Sequence, residues 1–142
     1  MTVSHILVPL DGSSESENAL ALAVTFAEKF EAKITLLHVI DLNVKMSDLD
    51  RVTMSGYIPS DILQEGYKLL SDAMRKIPQE ISVETAVIPG HPAGVILDQA
   101  EQNHIDLIIL GSRGLGAVKG LLLGSVSAAV IQKAPCPVLT TK

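Results

Sequence analysis

The chain opens with a short apolar run, His5-Ile6-Leu7-Val8-Pro9-Leu10, that stops at the turn formers Asp11-Gly12-Ser13-Ser14. A run of that length ending in turn residues predicts a buried strand. Ser14 and Glu17 then stand three residues apart, the spacing of a capping box, and Leu20, Val24, Ala27 and Phe30 follow on one helical face. The pattern predicts a helix over about residues 15–31.

Lys33 to Ile40 is β-branched and apolar, as a second strand should be, whereas Asp41 to Pro59 has mixed polarity, Gly56 and no period, and reads as a long mobile connection. Ser60 can cap a second helix in which Leu63, Tyr67, Leu70, Met74 and Ile77 alternate steps of four and three until Pro78 stops it. Val83 to Ile88 is a third strand. Gly90-His91-Pro92 turns the chain into a third helix, with Pro92 at its start and Val95, Ile96 and Ala100 on its apolar side. Ile105 to Leu110 is continuous enough for a central strand and breaks into Gly111-Ser112-Arg113-Gly114-Leu115-Gly116. A fourth helix begins near Ser125 and ends before Pro135, leaving Pro137 to Thr141 as the last strand.

Strands that alternate with helices predict an α/β fold, here a single doubly wound domain over residues 1–142 with a five-stranded parallel sheet and four helices on its two faces. Composition agrees: 47% of residues are hydrophobic but only 3% aromatic, with no Trp, so the core is built from Val, Ile, Leu and Ala. Ligands of such sheets bind beyond the carboxyl ends of the strands, where the winding reverses. The ends richest in glycine and hydroxyl groups are those after strands one and four.

A net charge of -5 with no clustered Lys or Arg argues against a nucleic-acid partner. The single Cys136 excludes an internal disulfide and a cysteine-based zinc site, and points to a reducing, cytoplasmic setting. The first residues lack the pattern of a signal peptide and no apolar run reaches the roughly 20 residues that span a bilayer, so no membrane partner is expected.

The chemistry gathers in one stretch. Gly111-x2-Gly114-x9-Gly124-Ser125 puts a glycine turn directly after a central strand and a glycine directly before a helix. Glycine lets backbone N–H groups approach phosphate oxygens, and a helix N-terminus adds unpaired donors, while Ser125 and Ser127 supply hydroxyls for the phosphates or for a metal bound to them. The competing reading is a structural glycine-rich turn. A P-loop is absent, and a dinucleotide fingerprint starting at Gly114 would put Lys119 where its last glycine belongs.

Asp11 suits ribose hydroxyls or a Mg²⁺ ion, but Asp before Gly is also an ordinary turn former. Arg113 suits a phosphate or a solvated loop charge. Cys136, between two prolines and away from any His, reads as a packed thiol rather than a nucleophile. His38 reads as a satisfied strand histidine, and His5, His91 and His104 have no metal-ligand spacing. The Leu121-Leu122-Leu123 run is expected to pack beneath the site or against a partner subunit.

Ile6-Leu7-Val8-Pro9-Leu10-Asp11-Gly12-Ser13, Leu37-His38-Val39, Gly90-His91-Pro92, Asp106 to Gly114 and Cys136-Pro137-Val138-Leu139, together with the glycine spacing, resemble the universal stress protein family, in its ATP-binding class, over essentially the whole chain. The resemblance implies an adenine nucleotide alpha hydrolase-like fold with sheet order 3-2-1-4-5. It implies that Pro9, Leu10 and Asp11 line ribose and adenine and that Val39 meets adenine through its backbone. Leu110, Gly111, Arg113, Gly114, Gly124, Ser125, Val126 and Ser127 would hold ribose and phosphates. The ligand would be ATP, or ADP or AMP, with Mg²⁺ carried by the phosphates and Ser127 or Asp11 the protein groups nearest to it. The family also implies a homodimer through Val138 to Thr141.

No residue suggests itself as a base beside a terminal phosphate, so the expected function is regulatory binding in a stress response, with slow hydrolysis at most. The alternatives are a dimerising partner-binding protein that uses no nucleotide, a slow ATPase, and a nucleotidyl transferase of similar fold, whose histidine-rich motifs are missing. A phospho-acceptor receiver domain is disfavoured, because Pro89-Gly90 stands after strand three where its acceptor Asp belongs.

Overall fold

A computed structural model describes residues 2–45, 58–114, 120 and 122–142. The elements run β1 (His5–Pro9), α1 (Ser14–Phe30), β2 (Lys33–Ile40), a single turn α2 (Leu42–Lys45), α3 (Ser60–Met74), β3 (Val83–Pro89), α4 (Pro92–Gln102), β4 (Leu107–Gly111), α5 (Ser125–Lys133) and β5 (Val138–Thr141). The five strands are parallel, in the order β3-β2-β1-β4-β5 that the sequence led us to expect. The turn α2 was not foreseen. It occupies the start of the stretch read as a mobile connection, of which residues 46–57 lie outside the described residues.

Both sheet faces are covered, which is why β1 and β4 read as continuous apolar runs instead of alternating ones. On one face Ile6, Val8, Ile34, Leu36, Leu107 and Ile109 pack against Ala19, Leu20, Ala23 and Ala27 of α1 and Leu70 and Ala73 of α3. On the other, Leu7, Leu37, Ile108 and Leu110 pack against Ile96 and Ala100 of α4 and Val130 of α5. Among the described residues no helix is long and apolar enough to cross a membrane.

Local details depart from the sequence reading. The cap of α1 is Ser13 rather than Ser14: its hydroxyl accepts from Ser16 N–H at 3.2 Å, and Glu17 instead pairs with Lys76 at 2.7 Å. Ser13 wins because the Asp11 carboxylate already holds its amide, at 2.9 Å, and its hydroxyl. Ser60 is the first residue of α3 and does not cap it; Pro59 precedes the helix and makes no side-chain cap. The buried stripe of α3 is Gly66, Leu70 and Ala73, continued by Ile77, whereas Tyr67 and Met74 are 59% and 43% exposed. A β-carbon at Gly66 would lie 3.0 Å from both His38 Cδ2 and Val87 Cγ1, so the helix approaches the sheet on its small-residue side and the large side chains flank the contact. Phe30, in the last turn of α1, is half exposed and meets the Phe26 ring at 5.7 Å.

β4 begins at Leu107 rather than Ile105. Asp106 N–H still donates to His5 C=O at 3.0 Å, and its Oδ2 accepts from Ser4 N–H at 2.9 Å, Ser4 hydroxyl at 2.8 Å and His5 N–H at 2.9 Å, which pins the entry of β1 beside β4. That register sets the opposite, carboxyl ends of the two strands level with one another.

Candidate functional site

A cleft of about 480 Å³ opens where β1 and β4 end. All of Pro9, Leu10, Asp11, Val39, Leu110, Gly111, Arg113, Gly114, Gly124, Ser125, Val126 and Ser127 line it, although they come from β1, β2, β4, α5 and the loops after β1 and β4. The sequence reading missed Ser13, Ser16, Leu37, His38, Asp41, Pro92 and Ile96, which line the same cleft. Ser13, Ser16, Pro92 and Ile96 reach it through the packing of α1 and α4 over the strand ends, and Leu37, His38 and Asp41 come from β2 and its end.

The glycines permit close backbone contacts. A β-carbon at Gly111 would stand 2.8 Å from Glu15 Cβ and 3.0 Å from Ser16 N, so the end of β4 lies directly on the first turn of α1. A β-carbon at Gly114 would stand 2.5 Å from Asp11 Oδ2. Asp11 is itself fixed at the end of β1, where its Oδ1 takes the Ser13 amide and hydroxyl and Gly12, at φ 87°, makes the turn. Gly124 caps α5 and its N–H donates to Ser112 C=O at 2.7 Å. The same carbonyl accepts the Ser127 hydroxyl at 2.6 Å. The two ends of the glycine stretch are thus closed on each other through Ser112, whose N–H continues the sheet by donating to Thr141 C=O at 2.6 Å. The arrangement is a closed backbone cradle at a helix N-terminus, suited to an anion.

The universal stress protein family (Usp) matches residues 2–142. The chain belongs to this family. It is 35% identical to universal stress protein YxiE of Bacillus subtilis, with 98% of this chain and 99% of that protein covered. Its fold matches universal stress protein UspA from Lactobacillus plantarum at a TM-score of 0.81 and 29% identity, covering 100% and 99% of the two chains. The universal stress protein of Archaeoglobus fulgidus in complex with dAMP shares the fold at a TM-score of 0.72 and 24% identity, with both chains fully covered, 100% of each.

Within this universal stress protein the polar side chains of the cleft have definite partners. Arg113, read as either a phosphate ligand or a solvated charge, lines the cleft and pairs with Glu15 at 3.4 Å. Ser127 is 3% exposed, and its hydroxyl hydrogen is shared between Ser112 C=O and Gly124 C=O, the latter at 3.1 Å, so its first role is to close the loop. Ser125 is exposed at the start of α5. His38 joins β2 to β1 through Nδ1 and Leu10 C=O, 2.8 Å apart, as a satisfied strand histidine should. Leu122 and Leu123 are 83% and 39% exposed, so neither is buried beneath the cleft; Leu121 and residues 115–119 lie outside the described residues.

Away from the cleft, burial pushes the His5 imidazole below its usual range, with the Lys33 charge adding to the effect, and its Nε2 meets Thr35 Oγ1 at 2.7 Å. Burial raises the Cys136 thiol, reinforced by Asp106, and the side chain packs against the core on the α4 and α5 face of the sheet. Among the described residues no group of three or more His, Cys, Asp or Glu could hold a metal ion.

Proposed function

We infer that this chain binds an adenine nucleotide, with ATP the leading ligand, across the ends of β1 and β4, and that it serves as a cytoplasmic homodimeric regulator in a stress response. The observation that carries this reading is the contact between Gly114 and Asp11. It joins the phosphate-type loop after β4 to the ribose-type carboxylate after β1, with no room for a β-carbon between them. The cradle therefore fits the group that the family resemblance implies.

In this reading Pro9, Leu10 and Asp11 border ribose and base, and Val39 meets the base. Leu110, Gly111, Gly114, Gly124 and Val126 shape the walls on the phosphate side, where Arg113 and Ser125 donate to the phosphates. Ser127 maintains the loop. Mg²⁺ arrives on the phosphates, nearest to Asp11 or Ser127. The carboxylates at the phosphate end are engaged, Glu15 with Arg113 and Asp11 Oδ1 with Ser13, and no residue is assigned as a base beside the terminal phosphate, so the bound state is the output and hydrolysis is slow at most. The dimer forms through β5, which ends the sheet and leaves a strand edge to be paired.

The test is to release and identify by mass spectrometry any small molecule that co-purifies with the protein, then to titrate Mg-ATP into emptied protein. Saturable binding supports the reading. No binding at millimolar ATP removes it.

A further inference from the structure

Asp41 follows β2 directly and lines the cleft, yet neither the glycine spacing nor the phosphate cradle makes use of it. β2 and β4 flank β1 on opposite sides, so residues leaving β2 and residues leaving β4 form opposite ends of one cleft. The β4 end presents glycines, serines and Arg113 beside Leu110 and Val126. The β2 end is different. Leu37, Val39, Pro92 and Ile96 give it an apolar wall of the kind that takes an aromatic base out of water. Gly90 N–H donates to Ile40 C=O at 3.0 Å, which draws the turn before Pro92 against the residue preceding Asp41. Asp41 is held in place there: its Oδ1 accepts Asn43 N–H at 3.1 Å at the head of α2.

We propose that Asp41 reads the base in this cleft: its Oδ2 accepts a hydrogen bond from the exocyclic amine of adenine and so selects 6-amino-purine nucleotides over 6-oxo-purine ones. The proposal rests on the nucleotide reading of the same cleft. A carboxylate offers acceptors only, so it pairs with an amine and meets a purine carbonyl lone pair to lone pair. Guanine also carries two adjacent donors that match a carboxylate with both oxygens open. Asp41 has one oxygen committed to Asn43 and matches one donor. Its charge adds direction, because it repels phosphates from the β2 end while Arg113 attracts them at the β4 end. A site that hydrogen-bonds a ligand group rejects the analogue that lacks it, since its own polar atom is then left unpaired.

The experiment is calorimetric titration of the intact protein with ATP, GTP and purine riboside 5′-triphosphate, which carries no exocyclic group, repeated for Asp41→Asn and Asp41→Ala. The wild type should bind ATP about tenfold or more tightly than either analogue, the usual scale of one well-made base contact. Asp41→Asn still accepts Asn43 N–H but offers an amide NH₂ to the base. It should therefore erase the lead of ATP over purine riboside triphosphate and improve GTP, and Asp41→Ala should erase the lead without improving GTP. An unchanged ratio in both variants, or a wild type that prefers GTP, overturns the proposal and leaves the nucleotide reading standing. A wild type that binds none of the three overturns both.

Discussion

Gly114 and Asp11 approach so closely that a β-carbon on the glycine would lie 2.5 Å from Asp11 Oδ2. The two residues are far apart in sequence and belong to loops that follow different strands. Their contact is what makes one cleft out of two strand ends. It turns a glycine spacing into a statement about shape: the residue after Arg113 is glycine because a carboxylate occupies the place of its side chain.

Gly114→Ala should therefore displace Asp11 or push the loop outward, and weaken ATP binding by about tenfold, or ~1.4 kcal/mol. Gly124→Ala provides the control. A β-carbon there meets nothing nearer than Arg113 Cα at 3.5 Å, an ordinary contact, so the loss should be confined to the modest cost of alanine at a helix cap. Titration of both variants with ATP, alongside urea unfolding, separates the two effects. Equal affinities for the variants would place the phosphates elsewhere.

Ser127→Ala tests whether that hydroxyl maintains the loop. It removes a buried donor shared by Ser112 C=O and Gly124 C=O, and Ser112 C=O retains one partner in Gly124 N–H. We expect a loss of about 1–2 kcal/mol in urea unfolding, typical of a buried hydrogen bond. An unchanged midpoint and slope would mean that the loop holds itself closed without Ser127.

The strands and the cleft's position at their ends could be reached from the sequence because buried parallel strands are continuous apolar runs, and glycines with turn residues mark where they end; the order of the strands came only with the family resemblance. The helix faces were harder. On α3, the stripe through Tyr67 and Met74 and the stripe through Gly66 and Ala73 share Leu70, and helical spacing alone does not rank them. The choice was made by Gly66, whose lack of a side chain permits approach to His38 and Val87, a contact between distant segments. The choice of Ser13 over Ser14 as cap likewise followed from Asp11 taking hold of Ser13. In the cleft the glycines and Asp11 carried a local pattern. Glu15 and Asp41 carried none, because they reach the site through the packing of α1 and the end of β2.

The lower end of the sheet should give the protein an acid-sensitive stability. Burial, aided by Lys33, pushes folded His5 below its ordinary value of 6.5, so the unfolded chain takes up a proton first as the pH falls. Stability is complete above about 6.5 and declines as pH drops from there through the folded value. Asp106 adds a second loss at lower pH. The Ser4 hydroxyl, with the Ser4 and His5 amides, holds it below its ordinary 3.8, so its contribution is present above that value and fades as pH falls through the folded one. Urea unfolding across pH should show both declines. His5→Gln should remove the first and leave the second, and a wild-type profile flat from neutrality down to the carboxylate range would exclude the His5 effect.

Glu15 and Arg113 pose the last question, whether the carboxylate competes with phosphate for the guanidinium. The pair is 3.4 Å apart and partly exposed, with Arg113 side-chain accessibility at 36%, so its own contribution to stability is small. A phosphate in the cradle would offer the guanidinium two oxygens that accept its paired N–H donors, while Glu15 holds it back and adds negative charge near the phosphates. Glu15→Gln should then tighten ATP severalfold with little change for adenosine. Arg113→Ala should weaken ATP by about tenfold, again sparing adenosine, with the difference shrinking in high salt. If ATP and adenosine respond alike to both changes, Arg113 does not meet the phosphates and its place in the cleft is structural.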